Sequence, residues 1–299
     1  MRKHSNKIKK SAAEQAFNVF NIIFLTVLSI ISLYPFLYVV FASLSNPAEF
    51  LKSGSGLLLK PAGFSFEAYK RVLQKPEIVT GYMNTIFYVV VGTSVSMLLT
   101  MSLGYVLSRK NLFFTNVIMM LIVFTMYFGG GLMPTYLVVK NIGLTDTRLA
   151  LILPMAITTS NLIIMRTAFR GVPEVLEEAA KVDGMGPLGI LFKIMIPLAA
   201  PTIAVLVLYY AVRQWNDWFQ AAIYLRNSAL YPLQLYLREI LILNNQDDML
   251  IASQSAEQMA LGETIKYATI IVSTVPILVL YPFLQKYFAK GVMIGAVKG

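Results

Sequence analysis

The spacing of charges along the chain limits most what it can become. Between Glu14 and Glu49 lie 34 uncharged residues, between Glu77 and Arg109 lie 31, and between Lys110 and Lys140 lie 29. About 20 apolar residues carry a helix across the hydrocarbon core of a bilayer. Lipid offers the backbone no hydrogen bonds, so a spanning segment of this kind has to be helical. Only 13% of the residues are charged, against roughly twice that in soluble domains. The expected fold class is therefore an all-α integral membrane protein with six transmembrane helices.

The three long runs predict spans near 17–43, 82–107 and 112–137. A run of 17 between Arg148 and Arg166 predicts a fourth. The fifth starts near Ile194 and runs through LYYAVRQWNDWFQ, and the sixth lies between Lys266 and Lys286. Six spans place both termini on one side. Putting that side in the cytoplasm gives the inner segments 14 basic residues and the outer segments 10, the sense expected for cytoplasmic loops. The domain reading is a basic N-tail over 1–16, a membrane domain over 17–289 and a cytoplasmic C-tail over 290–299. Outside lie loops 44–81 and 226–264; inside lies loop 170–197. In the first outer loop, Phe66, Tyr69 and Leu73 recur at helical spacing and predict a surface helix. The first span is too long for a signal peptide and lacks a small-residue cleavage site.

Several chemistries are excluded. The chain has no cysteine, and its one histidine, His4, sits in the basic tail, so neither a thiolate nor a histidine metal site is expected. No Gly-Lys dipeptide occurs, so there is no phosphate-cradling loop. Any ATP and Mg must sit on another chain, and this chain is expected to hold no cofactor and to be no enzyme. The net charge of +10 follows from cytoplasmic loops and does not call for nucleic acid.

One inner segment is unlike the rest: VPEVLEEAAKVDGMGPLGILFKIMIPLAAP, Val172 to Pro201. Pro173 suits a first helical turn, where a missing N–H costs nothing. Glu174 and Glu177 favour the positive end of the helix dipole. Lys181 follows Glu177 by four residues, a favourable pair on an exposed face. Gly184 can adopt the left-handed cap conformation, and Pro187 reinforces the stop. The helix should run about three turns, or roughly 16 Å. Ala179 and Ala180 leave a smooth patch where another protein can approach. Composition alone also fits an ordinary solvated loop.

The spacing adds more. Glu178-Ala179-Ala180, three residues, Gly184, nine residues, Ile194, one residue, Ile196-Pro197 resembles the EAA signature of ABC importer permeases, with Ile196 where leucine is usual. YPFLYVVFASLS (34–45), NTIFYVVVGTSVSMLLTMSLGYVLSRKN (84–111), GGGLMPTYLVVKNIGLTDTRLALILP (129–154) and WNDWFQAAIYL (215–225) resemble carbohydrate permeases of the maltose type, nearest the subgroup for complex oligosaccharides and polysaccharide breakdown products. The resemblance implies a type I ABC importer permease fold in a bacterial inner membrane. It implies a second homologous permease, two ATP-binding subunits, an extracytoplasmic solute-binding protein and an oligosaccharide cargo. It assigns ATPase coupling to Glu174, Glu177, Glu178, Ala179, Ala180, Asp183, Gly184 and Pro197, with Glu178 contacting a basic residue of the ATPase.

Arg213 and Asp217 are four apart and are expected to share a helix face. Charges inside a membrane turn toward protein or water. With Trp215, Asn216 and Trp218 they can line a sugar path; equally, they can form a helix-locking pair beside interfacial tryptophans. Gly129, Gly130 and Gly131 with Pro134 fit either an end or weakening of span 3 near the outer face or a close helix contact. Gly104 is expected to serve packing. Two other functions compete: the same fold with an amino-acid, phosphonate or metal-ion cargo, and a stand-alone secondary transporter, which needs mid-membrane coupling carboxylates.

Overall fold

The computed structural model describes residues 11–54, 56–109, 113–250 and 261–279, all helical or irregular apart from one isolated bridge between Ser45 and Phe64. Most of the basic N-tail, Lys110, Lys286 and the 290–299 tail lie outside the described residues. The helices are α1 (Ala12–Ser43), α2 (Pro47–Ser53), α3 (Glu67–Leu73), α4 (Pro76–Phe87), α5 (Thr93–Ser108), α6 (Thr115–Tyr127), α7 (Leu132–Asn141), α8 (Thr159–Arg170), α9 (Glu174–Val182), α10 (Pro187–Ile190), α11 (Ile196–Leu198), α12 (Ala200–Trp215), α13 (Phe219–Tyr224), α14 (Leu233–Leu250) and α15 (Leu261–Val279). Two π-helical turns, Tyr88–Gly92 and Leu191–Met195, join α4 to α5 and α10 to α11.

Among the described residues three helices are long and apolar enough to cross a membrane: Ala12–Ser43, Pro76–Ser108 and Leu261–Val279. Two bent pairs raise the number to five, Thr115–Tyr127 with Leu132–Asn141 at 114° and Pro187–Leu198 with Ala200–Trp215 at 88°. The first bend falls at Gly129, Gly130 and Gly131, where Gly131 has φ +84. The run between Arg148 and Arg166 differs from the expected continuous span. It holds a 3-10 turn at Arg148–Leu151, irregular chain past Pro154, and then α8, only 12 residues long. At about 1.5 Å per residue α8 reaches little more than half the hydrocarbon thickness.

The described residues within Met1–Val72 and Asp247–Ile271 form one compact unit, and those within Leu73–Gln246 and Val272–Gly299 form another. In the first, Ser11 Oγ accepts the Glu14 N–H and starts α1 as half of a capping box. Large apolar side chains of α1 from Phe17 to Leu33 stand exposed, as a lipid-facing helix requires. At its far end Ala42 packs with Phe50 and Leu58, and Tyr267 meets the edges of Tyr38 and Phe50, each at 5.8 Å. The surface helix α3 forms, with a face other than the expected one. Ala68 and Val72 are buried, Phe66 and Leu73 are exposed, and Tyr69 turns its hydroxyl to Ser43 Oγ at 2.8 Å.

In the second unit α5 lies tightly on α8. A Cβ at Gly104 would stand 3.0 Å from Met165 Cγ, so glycine sets the helix separation here. Arg166 Nε reinforces the contact by donating to Leu107 O at 2.8 Å. A buried cluster of Met97, Tyr105, Met165, Phe169, Ile190, Met195, Leu206 and Tyr210 continues into loop 170–197. Thr100 Oγ1 and the Tyr210 hydroxyl satisfy each other inside it at 2.7 Å.

At the opposite end Asn84, Thr85 and Tyr88 hold the segment after α13. Asn84 Nδ2 donates to Ala229 O and Tyr231 O, Tyr88 to Leu230 O, and Thr85 Oγ1 accepts the Leu233 N–H. Asp146, a non-glycine residue with φ 59, fastens the same region from another side. Its N–H donates to Tyr224 O, and its carboxylate accepts the N–H groups of Arg226 and Asn227 at 2.9 and 2.8 Å. The expected outer loop 226–264 is thus partly helix, α14, on a clamped stem.

The Asn227 and Arg226 amides hold the Asp146 carboxyl below the usual carboxylate range. A carboxyl with a lowered folded pKa stabilises above its unfolded value and stops doing so as pH falls through the folded one. Hydrogen-exchange protection of the Arg226 and Asn227 amides should therefore be flat at neutral pH and drop below about pH 4. Asp146→Ala should remove that pH dependence.

Candidate functional site

Helix α9 is the polar element between apolar ones, and its ends explain why it stands alone. Pro173 is its N-cap, one residue before the expected helical position, and the helix runs for 9 residues rather than three full turns. Gly184 closes it with φ +78. The Gly184 N–H donates to Lys181 O at 3.0 Å and the Met185 N–H to Ala180 O at 2.9 Å, the two bonds of a Schellman cap. The apolar contact that accompanies this cap is present: Ala180 is buried in the cluster against which Met185 packs.

The helix has two unlike faces. Glu177 and Ala180 are buried, at 6% and 3% exposure. Val175 and Val182 are exposed at 70% and 88%, and Leu176, Glu178 and Ala179 also face outward. This corrects the expected smooth patch, because only Ala179 belongs to it; Ala180 roots the helix in the body. It also corrects the expected exposed Glu177–Lys181 pair. The pair exists at 2.9 Å, but its carboxylate is buried and only the lysine is open.

The second cation on Glu177 is Arg109, the residue following α5. Arg109 Nε and Nη2 also donate to Ser108 Oγ at 3.0 and 2.8 Å, and Nη2 reaches Phe169 O at 3.3 Å. Its guanidinium carbon lies 5.0 Å from the centre of the Tyr105 ring. Burial pulls the arginine pKa down from its ordinary value against the opposing pull of Tyr105 and Glu174. Tyr105, Ser108, Arg109 and Glu177 line a cleft of about 850 Å³ that also takes in Arg170, Glu174, Glu178, Lys181 and Met185. Asp183 is the C-cap of α9 and Pro197 lies within α11, past the π turn. Arg109, Tyr105 and Met185 were missed by the sequence reading. The available signal was Arg109 itself, the first charge after 31 neutral residues.

The residues of the expected path are only partly brought together. Helix α12 ends at Trp215 and α13 starts at Phe219, so Arg213 and Asp217 do not share one continuous helix face. Among the described residues no ion pair joins them. Asp217 instead caps α13 by accepting the Gln220 N–H at 3.1 Å, and Arg213 Nη1 donates to Thr158 Oγ1 at 3.0 Å. The two charges still attract each other, but without a direct ion pair. Arg213 Nη2 is buried with no hydrogen-bond partner. Asn216 is exposed and bonds back to Val212 O. Trp215 is buried, donates to Ser273 O at 3.2 Å and meets Tyr82 edge-on. Trp218 has Arg238 over its ring at 3.7 Å, so that face is taken.

Comparison with known proteins gives this geometry its context. Residues 101–294 match the family described as binding-protein-dependent transport system inner membrane component. Protein LplC of Bacillus subtilis is 43% identical over 289 residues, covering 96% of each chain. The polygalacturonan/rhamnogalacturonan transport system permease protein YtcP of Bacillus subtilis is 43% identical over 278 residues, covering 92% of this chain and 96% of the relative. A solved chain of a bacterial ABC transporter involved in the import of the acidic polysaccharide alginate superposes with TM-score 0.84 at 33% identity, covering 94% of this chain and 100% of that one.

The chain belongs to the binding-protein-dependent transport system inner membrane component family. It is a multi-pass membrane permease of an ABC importer, and the membrane subunit of such a system is not its ATP-hydrolysing enzyme.

No atom lies within 4 Å of a Cβ placed on Gly184, so any substitution there meets only the backbone penalty, about 1–2 kcal/mol for an ordinary L-residue. Gly184→Val should lower exchange protection at the amides of residues 184 and 185 by roughly tenfold, while Gly184→Asn, which tolerates this conformation, should lower it less.

Proposed function

We propose that the chain forms half of the translocation path of an ATP-driven oligosaccharide importer, and that α9 is the coupling helix gripped from the cytoplasm by an ATPase subunit. The observation that carries this reading is the division of α9 into a buried root and an outward face of Val175, Glu178, Ala179 and Val182. A short helix entered at a proline and closed by a Schellman cap moves as a unit, so closure of the ATPases below can turn the membrane helices above. In this reading six spans cross the inner membrane, both termini are cytoplasmic, and 1–16 and 290–299 are tails flanking a membrane domain over 17–289. The partners are a second homologous permease, two ATP-binding subunits that hold ATP and Mg, and an extracytoplasmic binding protein. This chain needs no cofactor of its own.

For the cargo we infer an oligosaccharide cut from an acidic polysaccharide. Two relatives support this by their descriptions, one naming polygalacturonan and one the acidic polysaccharide alginate. The spare N–H of Arg213 supports it from within, since a buried guanidinium with an unused donor suits a carboxylate. Arg213→Gln should reduce uptake of a uronic-acid oligosaccharide at least tenfold in the reconstituted transporter while leaving a neutral oligosaccharide of equal length less affected. Equal losses for both would remove the carboxylate from the argument.

Because the chain lacks cysteine, coupling can be tested by single introduced thiols. Ala179→Cys should cross-link to an ATPase subunit in the assembled transporter. Ala180→Cys, at a buried position, should not. Glu178→Lys should abolish uptake with little change in the chain's own stability. Failure of Ala179→Cys to capture an ATPase subunit in a transporting complex would overturn the coupling role.

A further inference from the structure

A coupling helix must be fastened to the helices it moves, or its displacement is absorbed by the loops at its ends. The geometry points to Arg109 and Glu177 as that fastening: a permanent strut through which α9 drives the cytoplasmic foot of the helix Pro76–Ser108. It rests on the importer reading for its mechanical meaning, but the strut itself is a property of this chain.

Arg109 is engaged on every side. Its guanidinium meets Glu177, Ser108 Oγ, the carbonyl of Phe169 near the end of α8, and the Tyr105 ring. One side chain thus joins three elements: the foot of α5, the end of α8 and the middle of α9. Glu177 is fixed as firmly, with Arg109 on one carboxylate oxygen and Lys181 on the other. Lys181 belongs to α9 itself and is open to solvent, so it neutralises charge without tying the helix to anything.

Burial decides whether such a link acts as a strut or as a switch. The Glu177 side chain is 8% exposed and that of Arg109 19%. Separating them would leave a buried carboxylate without its arginine, a far greater cost than opening a surface ion pair. A planar guanidinium held at several donors also resists rotation where a lysine would not. A link this hard to open should travel intact through the transport cycle. The neighbouring Glu178, exposed at the edge of the same cleft, is open to a partner.

The test has two levels. In the full chain purified in detergent, Arg109→Glu and Glu177→Arg should each reduce exchange protection of α9 amides at least tenfold, and the combined Arg109→Glu/Glu177→Arg swap should recover most of it. A swap no better than the single changes would overturn the link, whatever the chain transports. In the transporter assembled with its partners, Arg109→Cys/Glu177→Cys should hydrolyse ATP yet import at least tenfold less sugar per ATP. A short bismaleimide bridging the two thiols should restore the ratio. If the bridge blocks import, or if the ratio never changed, the strut is wrong. Because the first level needs no transport, a failure of the importer reading would be seen separately.

Discussion

Glu177 is a carboxylate almost shut off from solvent, and a carboxylate so placed is tolerable only with cations held against it. That requirement organises the end of the second unit that carries α9. It fixes Arg109 at the foot of α5, brings the Phe169 carbonyl and Tyr105 ring around the guanidinium, and sets the rotation of α9 about its own axis. Once that rotation is fixed, Ala180 must face inward and Val175 and Val182 outward. The Schellman cap at Gly184 then sends the chain back along the body toward α10.

Elsewhere the same need to satisfy polar groups is met by breaking helices. Helices bend between α6 and α7 and between α11 and α12, and a π turn interrupts Pro76–Ser108. Non-helical backbone at membrane depth persists only where protein or a water-lined cavity satisfies it. Here side chains do part of that at the stem before α14, whose carbonyls accept from Asn84 and Tyr88; Tyr82 and Trp215 add bonds to the helical carbonyls of Val272 and Ser273 in α15. Broken helices give a permease hinge points while these side chains satisfy much of the freed backbone. Gly104 against Met165 shows the opposite device, a close, rigid contact that keeps α5 and α8 moving together.

What could be read in the sequence followed from local constraints. The spans at α1 and Pro76–Ser108 stood out because charge is excluded from lipid over their whole length. The end of α9 was legible because the left-handed cap needs a glycine, and the chain break at Gly129–Gly131 for a similar reason. What failed required a continuous helix or a known neighbour. Arg213 and Asp217 share a face only if the helix continues, and it stops at Trp215. Phe66, Tyr69 and Leu73 fit a helical period, yet Ala68 and Val72 are the residues covered, since burial is set by what packs against α3. The run from Arg148 to Arg166 was apolar enough, but Pro154 denies it a single helix. Arg109 could not be matched to Glu177 because 67 residues separate them and only the α5–α8 packing closes that gap.

The two adjacent glutamates show how much follows from rotation alone. Neighbours on an α-helix point about 100° apart. Glu177 and Glu178 are chemically identical; the four-residue spacing to Lys181 and the EAA spacing tell them apart in the sequence, but neither says which of the two is buried. With Glu177 committed inward to Arg109, Glu178 is turned to the exposed flank of the helix, at the edge of the same cleft, beside Val175, Ala179 and Val182. A carboxylate rimmed by small apolar side chains is a surface with both an electrostatic and a packing preference, so it can discriminate between partners. In the proposed coupling role one ion pair sets the attachment of α9, and a force applied to Glu178 reaches the second span with only the thickness of one helix between.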